Sequence, residues 1–177
     1  KLIFDGEINE TVNQYISKTM ENFTRTKDFN ITKNNISLIK ISISKIDIIS
    51  GDGFDLEFIF EKKDIKDYKS DITFHLVDQL GHLVFVGSTG KENNHKSLSN
   101  GIIKAICQVP ENLMNEGTYT IHRLLFVRDR ATVVFEIRNC FSFKIIAKAP
   151  TDGGTGREEG IVNPKLEWKK KFSSGEL

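Results

Sequence analysis

The feature that most constrains the fold is an alternation of apolar and polar side chains, with a period of two, between residues 37 and 147. Phe54, Leu56, Phe58 and Phe60 are each separated by a single residue, and the intervening residues are mostly acidic. A period of two places successive side chains on opposite faces of a β-strand. About seven to nine such short strands, with no helical pattern between them, predict an antiparallel β-sandwich or barrel, and an immunoglobulin-like antiparallel β-sandwich is the favoured form. A parallel sheet is excluded because its strands need crossover helices.

The pattern changes on both sides of this predicted sandwich domain. Residues 1–25 predict a short helix, and residues 26–36, which are polar and rich in asparagine, predict a linker. Residues 148–160 are rich in glycine and predict a flexible linker. Residues 161–168 predict a terminal strand that pairs either with its own sandwich or, by exchange, with that of a neighbour, and residues 169–177 predict a tail. The apolar stripe of the predicted helix consists of Ile8, Val12, Tyr15, Ile16, Met20 and Phe23.

Composition narrows the class of protein. The chain of 177 residues has 25 basic and 24 acidic residues and a net charge of +1. This balance argues against a nucleic-acid partner, which usually requires a basic excess. No apolar run approaches the roughly 18 residues of a membrane-spanning helix. Cys107 and Cys140 lie in apolar alternating runs, so we expect buried free thiols, which fit a cytoplasmic location.

The motifs of enzymes and metal proteins are missing from the sequence. There is no phosphate-binding Gly-Lys-Ser/Thr loop and no nucleophile elbow, so an enzyme is the least favoured interpretation and we expect no catalytic residue and no cofactor. Asp52, Asp55 and Glu57 are candidates for a calcium site, although a polar turn that enters a strand uses the same residues. We therefore expect no metal. The histidines have none of the spacings that bind zinc; they are His75, His82, His95 and His122.

A turn followed by a tyrosine is typical of the predicted fold. Gly117 ends a polar turn, and Tyr119 and Ile121 follow on the same face of the next strand. In immunoglobulin-like sandwiches such a tyrosine bonds back to the backbone of the turn and forms a tyrosine corner. The sequence therefore predicts a structural role for Tyr119 rather than stacking on a ligand.

The candidate binding site is one outer sheet face. In a Greek-key sandwich the strands near residues 71–78, 117–127 and 139–147 are neighbours in one sheet. Imidazole rings can pack against sugar rings, hydroxyl groups can bond sugar hydroxyls, and a lysine can meet an anionic cap. An ordinary solvated face and a dimer contact remain alternatives. The alternation places these residues on the outer face: Thr73, His75, Val77, Thr120, His122, Leu124, Ser142 and Lys144.

Several stretches, in order, are similar to those of a known family. The chain resembles the C-terminal part of Wzt, the ATP-binding subunit of ABC transporters that export O-antigen polysaccharides. The resemblance covers nearly the whole chain and depends on the order and spacing of its motifs. The matching stretches are residues 1–16, which resemble the last helix region of the ATPase domain, residues 50–56, 78–89, 109–121 and 159–168.

The resemblance implies a cytoplasmic β-sandwich module that is peripheral to the inner membrane through the transporter. It implies binding of a completed, lipid-linked and often end-modified O-antigen polysaccharide, a homodimer formed by exchange of the C-terminal strand, and a membrane permease as partner of the parent subunit. ATP and magnesium would belong to an ATPase domain upstream of these residues. The alternative is a structural module that only dimerises or docks the ATPase.

The chain departs from the family pattern at Arg123, where that pattern favours a small or apolar residue. Two registers of the strand after Ile121 are therefore possible. An unbroken strand presents His122 on the outer face, whereas a bulge presents Arg123 in its place. The predicted carbohydrate contacts are His75, His122, Thr73, Thr120, Lys144 and, in the second register, Arg123.

Overall fold

The computed structural model describes residues 23–63, 68–91, 100–148, 160–162, 164 and 167–169. Most of the predicted N-terminal helix, the linker of residues 148–160 and the tail lie outside these ranges. In the part of the chain that the structure describes, no helix is long and apolar enough to cross a membrane. The strands are β1 (Thr26–Lys33), β2 (Ile36–Ile43), β3 (Ile48–Ile49), β4 (Phe54–Lys62), β5 (Ser70–Asp78), β6 (Leu83–Ser88), β7 (Gly101–Val109), β8 (Gly117–Arg128) and β9 (Thr132–Ile146), with a 3₁₀ turn at Thr89–Lys91 after β6.

The strands form the two sheets of a sandwich. The four-stranded sheet has the order β1-β2-β4-β7, and the five-stranded sheet has the order β3-β9-β8-β5-β6. All neighbours are antiparallel except β3 and β9, which are parallel. The predicted antiparallel sandwich is confirmed. The predicted adjacency of β5, β8 and β9 in one sheet is also confirmed, and this adjacency positions the candidate site.

The core lies between the sheets and is rich in phenylalanine. Phe54, Leu56, Phe58 and Phe60 are buried, while the residues between them face outward from β4. The Phe60 ring packs edge-to-face with Phe126 at 5.5 Å and Phe135 at 5.6 Å between ring centroids. Burial of each large apolar side chain stabilises the fold by about 1.5–3 kcal/mol, and a favourable ring pair adds about 0.5–1.5 kcal/mol.

The predicted linker of residues 26–36 is wrong. Thr26–Lys33 is strand β1, and it turns directly into β2 with Lys33 paired to Ile36. The turn residues Asn34 and Asn35 have positive φ angles of 48° and 62°, as a two-residue type I′ hairpin requires, and asparagine tolerates this conformation. Strand β1 is polar because it lies at the edge of its sheet with most of its side chains in solvent, so its sequence resembles a linker.

The predicted tyrosine corner is confirmed. Tyr119 is buried, and its hydroxyl lies 2.9 Å from the Asn115 carbonyl oxygen, four residues upstream. The same hydroxyl lies 3.2 Å from the carbonyl oxygen of Ile161. Burial raises the pKa of Tyr119 to about 12, with smaller contributions from nearby Asp78 and Glu116. The hydroxyl is therefore held as a neutral hydrogen-bond donor.

The predicted C-terminal strand begins within reach of this corner. Val162 forms an isolated antiparallel bridge with Met114, and the Asn115 side chain donates a hydrogen bond to the Gly160 carbonyl at 3.1 Å. These contacts are made within one chain. Trp168, at the other end of the predicted strand, is 82% exposed. Much of the segment between them lies outside the described residues, and the exchange of this strand between two chains stays a prediction.

Candidate functional site

The outer face of the five-stranded sheet carries the predicted site in cross-strand rows. One row consists of Val77, Thr120 and Ser142, which are register partners on β5, β8 and β9. The hydroxyl oxygens of Thr120 and Ser142 lie 2.9 Å apart. The structure therefore brings the hydroxyl-bearing residues of β8 and β9 together, as the alternation predicts.

A bulge at His122 decides between the two registers. Both ladders of β8 shift there: Ile121 pairs with Leu76, and Arg123 pairs with His75. On the side of β9, Ile121 pairs with Phe141 and the next pair is Arg123 with Arg138. The extra residue moves Arg123 onto the row of His75, so the register that presents Arg123 is the observed one.

The bulge corrects one predicted outward residue. Leu124 was expected on the outer face by uninterrupted alternation, but it is fully buried in the core. Because the bulge reverses the phase of the strand, Leu124 and Phe126 point inward with Tyr119 and Ile121. The same shift places Leu125 on the outer side of the sheet, where its register partners are Thr73 and Glu136 and where it is buried.

His122 remains at the bulge without a register partner on either side. Its Nδ1 lies 2.8 Å from Oδ1 of Asn139, which has a positive φ of 47°. The segments predicted as two strands, at residues 132–137 and 139–147, are one strand, β9, with this irregularity at Asn139. The imidazole of His122 is thus oriented by its contact with Asn139 on β9.

A charged cluster next to His75 is the main feature that the sequence did not predict. Arg123 donates two hydrogen bonds to Glu136, from Nε and a terminal nitrogen, both at 3.1 Å. Arg138 donates a third to Glu136, from Nε at 2.9 Å. The bond from Arg123 lowers the pKa of Glu136 and raises that of Arg123. Two guanidinium groups therefore share one carboxylate.

The environment of His75 favours its neutral form. Partial burial is the first cause that lowers the pKa of His75 below its ordinary value, and the positive charge of Arg123 adds to it, while Glu136 acts in the opposite direction. A neutral imidazole has one donor and one acceptor nitrogen, which suit a sugar hydroxyl, and a flat ring face, which suits the C–H face of a sugar. Glu136 and Arg138 could have been found from the sequence, because they alternate with the inward Phe135 and Ile137.

Two predicted residues lie at opposite ends of the face. Thr73 lies beyond His75 on β5, and its hydroxyl is 2.9 Å from that of Ser88 on β6. Lys144 is exposed and pairs with Thr118 beyond the Thr120–Ser142 row, at the end away from Arg138. The structure brings His75 and Arg123 together as register partners. It places Lys144 apart from them, so Arg123 and Arg138 are the cations at the centre.

The residues considered for calcium have other roles. Asp52 pairs with Lys45 at 3.4 Å, and Glu57 forms an ion pair with Lys104 on the neighbouring strand. Among the described residues, no three of the side-chain types that bind metals come together as a metal site.

These features define an immunoglobulin-like antiparallel sandwich with a tyrosine corner and a polar face across β6, β5, β8 and β9. Among solved structures, the chain is similar to the C-terminal domain of Wzt, with a TM-score of 0.59 over 82% of this chain and 87% of that one, at 11% sequence identity. This similarity confirms the predicted fold, and at this identity it establishes the fold alone.

A second solved structure shows a smaller overlap. It is the alkylpurine DNA glycosylase AlkC of Pseudomonas fluorescens bound to DNA, with a TM-score of 0.43, 13% identity, and coverage of 64% of this chain and 31% of that one. No protein-family description matches the sequence. No curated protein matches it at a significant level either.

Proposed function

We propose that this chain is a non-catalytic carbohydrate-binding module that recognises an O-antigen polysaccharide for export by an ABC transporter. The observation that carries the proposal is the row of His75, Arg123 and Arg138 beside hydroxyl pairs on an open sheet face. The fold shared with the C-terminal domain of Wzt supports the transporter context. Binding in the cytoplasm would then couple a completed, end-modified chain to the ATPase and its membrane permease.

The chemistry of the face fits a glycan. Hydroxyl groups of Thr73, Ser88, Thr120 and Ser142 lie in pairs, and each pair can redirect a donor to a sugar hydroxyl. Each neutral hydrogen bond contributes about 0.5–1.5 kcal/mol net, so the affinity is spread over several residues. Arg138, whose side chain is 60% exposed, can also bond an anionic cap more strongly than a neutral one.

A direct test is titration of the 177-residue chain with the delipidated O-polysaccharide of its source strain by calorimetry. We expect a saturable heat that Arg123→Ala weakens. His75→Ala should weaken this heat as well. His82→Ala is its matched control, since His82 is exposed in the turn between β5 and β6. A wild-type chain that gives no saturable signal would contradict the proposal.

The alternative is a structural module that dimerises or docks the ATPase without binding glycan. One observation favours it: the edge strand β7 presents Ile102 and Ile106 at 63% and 52% exposure, and Trp168 is 82% exposed. Exposed apolar groups on an edge strand are a surface that a partner can cover. In either case we propose a homodimer that exchanges residues 161–168. A dimer that forms normally yet leaves the polysaccharide unbound would favour this alternative.

A further inference from the structure

A groove of 440 Å³ lies on the other side of the sandwich, on the outer face of the four-stranded sheet. Its floor contains one cross-strand row of register partners: Thr26 on β1, Ser42 on β2, Glu57 on β4 and Ile106 on β7. The groove therefore crosses the full width of this sheet.

The groove has fixed polar groups on its floor. The Ser42 hydroxyl donates to Glu57 Oε1 at 3.3 Å, and Lys104 holds the other carboxylate oxygen. The hydrogen bond from Lys104 is the first cause that lowers the pKa of Glu57, so the ionised carboxylate is favoured. Its side chain is 20% exposed, which leaves it accessible as an acceptor from inside the groove.

Both signs of charge line the walls. Arg25 and Lys40 supply donors, and the carboxylate of Asp55 supplies acceptors. Arg25 is positioned by a 3.3 Å hydrogen bond from its Nε to the Ile43 carbonyl. Ile106, half exposed on the edge strand, adds an apolar surface at the end of the row. Donors, acceptors and an aliphatic platform thus converge on one concave surface.

We propose that this groove is a second saccharide-binding site, on the face of the sandwich opposite to the first. A pyranose matches the mixture: adjacent hydroxyls donate to Asp55 and Glu57 and accept from Lys40 and Arg25, while its C–H face lies on Ile106. The inference goes beyond the proposed function and does not depend on the other face.

Other ligand classes fit less well. A nucleic acid or another polyanion would meet the carboxylates of Asp55 and Glu57, and it binds best where cations are in clear excess. A divalent cation prefers several oxygen ligands, whereas Lys104 already pairs with Glu57, and Arg25 and Lys40 line the same groove. A purely apolar ligand would bury these charges without partners. The balance of charges therefore selects a neutral, polyhydroxylated ligand.

The test is a nuclear magnetic resonance titration of the full chain with D-mannose, D-galactose, L-rhamnose and N-acetyl-D-glucosamine in turn. We expect at least one sugar to shift the Ile106 methyl and the Ser42 and Asp55 amide signals saturably. A dissociation constant on the order of 1–10 mM is typical of a few net hydrogen bonds. The signals of Ile102, on the same face of the same strand, should not move.

Matched substitutions separate the groove from the rest of the surface. Ile106→Ala should weaken binding about threefold to tenfold and Asp55→Asn about tenfold or more. Ile102→Ala and Glu61→Gln change equivalent residues outside the groove and should leave affinity unchanged. Each variant is compared with the wild-type amide spectrum, which establishes that it is folded.

Two outcomes would overturn the inference: none of these sugars shifts the groove signals, or the control variants weaken binding as much as the groove variants do. His75→Ala and Arg123→Ala probe the first face independently. These variants should leave the sugar-induced shifts of the groove signals unchanged, so a loss of polysaccharide binding at the first face is distinguishable from a loss of sugar binding in the groove.

Discussion

The Tyr119 hydroxyl donates to the Asn115 carbonyl oxygen at 2.9 Å and lies 3.2 Å from the Ile161 carbonyl oxygen. One buried group thus joins the turn before β8 to the segment that begins the predicted terminal strand. The Asn115 side chain reinforces this junction through its bond to the Gly160 carbonyl. The tyrosine corner therefore fixes where the C-terminal segment leaves the sandwich.

Tyr119→Phe should lower the free energy of unfolding by about 1 kcal/mol, since it removes a buried hydrogen bond between the hydroxyl and the Asn115 carbonyl. Urea denaturation measures the change. Tyr68→Phe provides a comparison at another buried tyrosine. An unchanged midpoint for Tyr119→Phe would show that the hydroxyl contributes nothing to the fold.

Stability should also fall at alkaline pH. The folded pKa of Tyr119 is raised from its ordinary value of 10.0 to about 12, mainly by burial. A raised folded pKa means that the folded state holds the proton more tightly, so this contribution is complete below pH 10 and is lost as the pH rises from 10 towards 12. Thermal unfolding from pH 9 to 12 measures it, and Tyr119→Phe should show a shallower decline. Equal declines for the two proteins would contradict this assignment.

The sequence predicts the sandwich well because its core residues alternate without interruption. Strand β4 contains four buried apolar residues with outward residues between them. This one pattern predicts both the strand and the face of it that packs against the opposite sheet. Strand β1 was missed because only the side that meets the core needs apolar residues, and an edge strand has few of them. The polar composition of residues 26–36 therefore favours a linker as long as the pairing of β1 with β2 is unknown.

The candidate site was predictable only up to the bulge. Thr73, His75, Thr120 and Ser142 follow from alternation and from the adjacency of β5, β8 and β9. The bulge at His122 depends on the pairing of β8 with both β5 and β9. The local sequence of β8 does not specify this pairing. Arg138 was missed because β9 was interpreted as two strands with residue 138 between them, whereas Glu136 was overlooked although it alternates with Phe135 within the first of those strands.

The two cysteines should differ in reactivity, although both were expected to be buried. Cys140 is buried, and burial raises its pKa to about 12. Cys107 is half-buried and lines a cleft of 330 Å³ with Phe58 and Phe74. Its pKa is raised by burial first and by the charge of Asp55 second.

We therefore expect the thiol reagent DTNB to modify Cys107 slowly at pH 8 in the folded chain and to modify Cys140 only after unfolding, since the thiolate is the reactive form. Asp55→Asn should speed the reaction of Cys107, and Asp52→Asn is the control. Cys107→Ser confirms which thiol reacts. Labelling of Cys140 at the rate of Cys107 would contradict its burial.

If the chain dimerises by exchange of residues 161–168, deletion of residues 160–177 should convert the dimer into monomers or aggregates. The deletion removes the contacts of Ile161 with Tyr119 and of Val162 with Met114, and an exchanged strand that is lost would open an edge to nonspecific pairing. Light scattering measures the mass. Deletion of residues 170–177 is the control, because it keeps the predicted strand. A dimer that persists without residues 160–177 would exclude exchange of this segment.

Trp168 offers a second measure of the same exchange. It is the only tryptophan in the chain, and it is 82% exposed in a single copy. If a partner covers it, its fluorescence emission should move to longer wavelength on dilution as the dimer dissociates. An emission maximum typical of exposed tryptophan at every concentration would mean that the partner does not cover it.

On the five-stranded sheet, Arg123→Ala should weaken polysaccharide binding more than His122→Ala. Arg123 pairs with His75 and Arg138 at the centre of the face, whereas His122 lies in the bulge and bonds Asn139. A charged hydrogen bond is worth about 1.5–3 kcal/mol, so the loss for Arg123→Ala should be about tenfold or more, against about threefold for His122→Ala.

Glu136→Gln tests whether the glycan bound on this face is anionic or neutral. It removes the carboxylate that Arg123 and Arg138 share and keeps the size of the side chain. If the glycan carries an anionic cap, the freed guanidinium groups should bind it more tightly, by about threefold to tenfold, and the gain should shrink with added salt. If the glycan is neutral, disorder of the two arginines should weaken binding instead. Unchanged affinity in Arg123→Ala and Glu136→Gln together, with the circular dichroism spectrum of the wild type, would remove this face as the binding site.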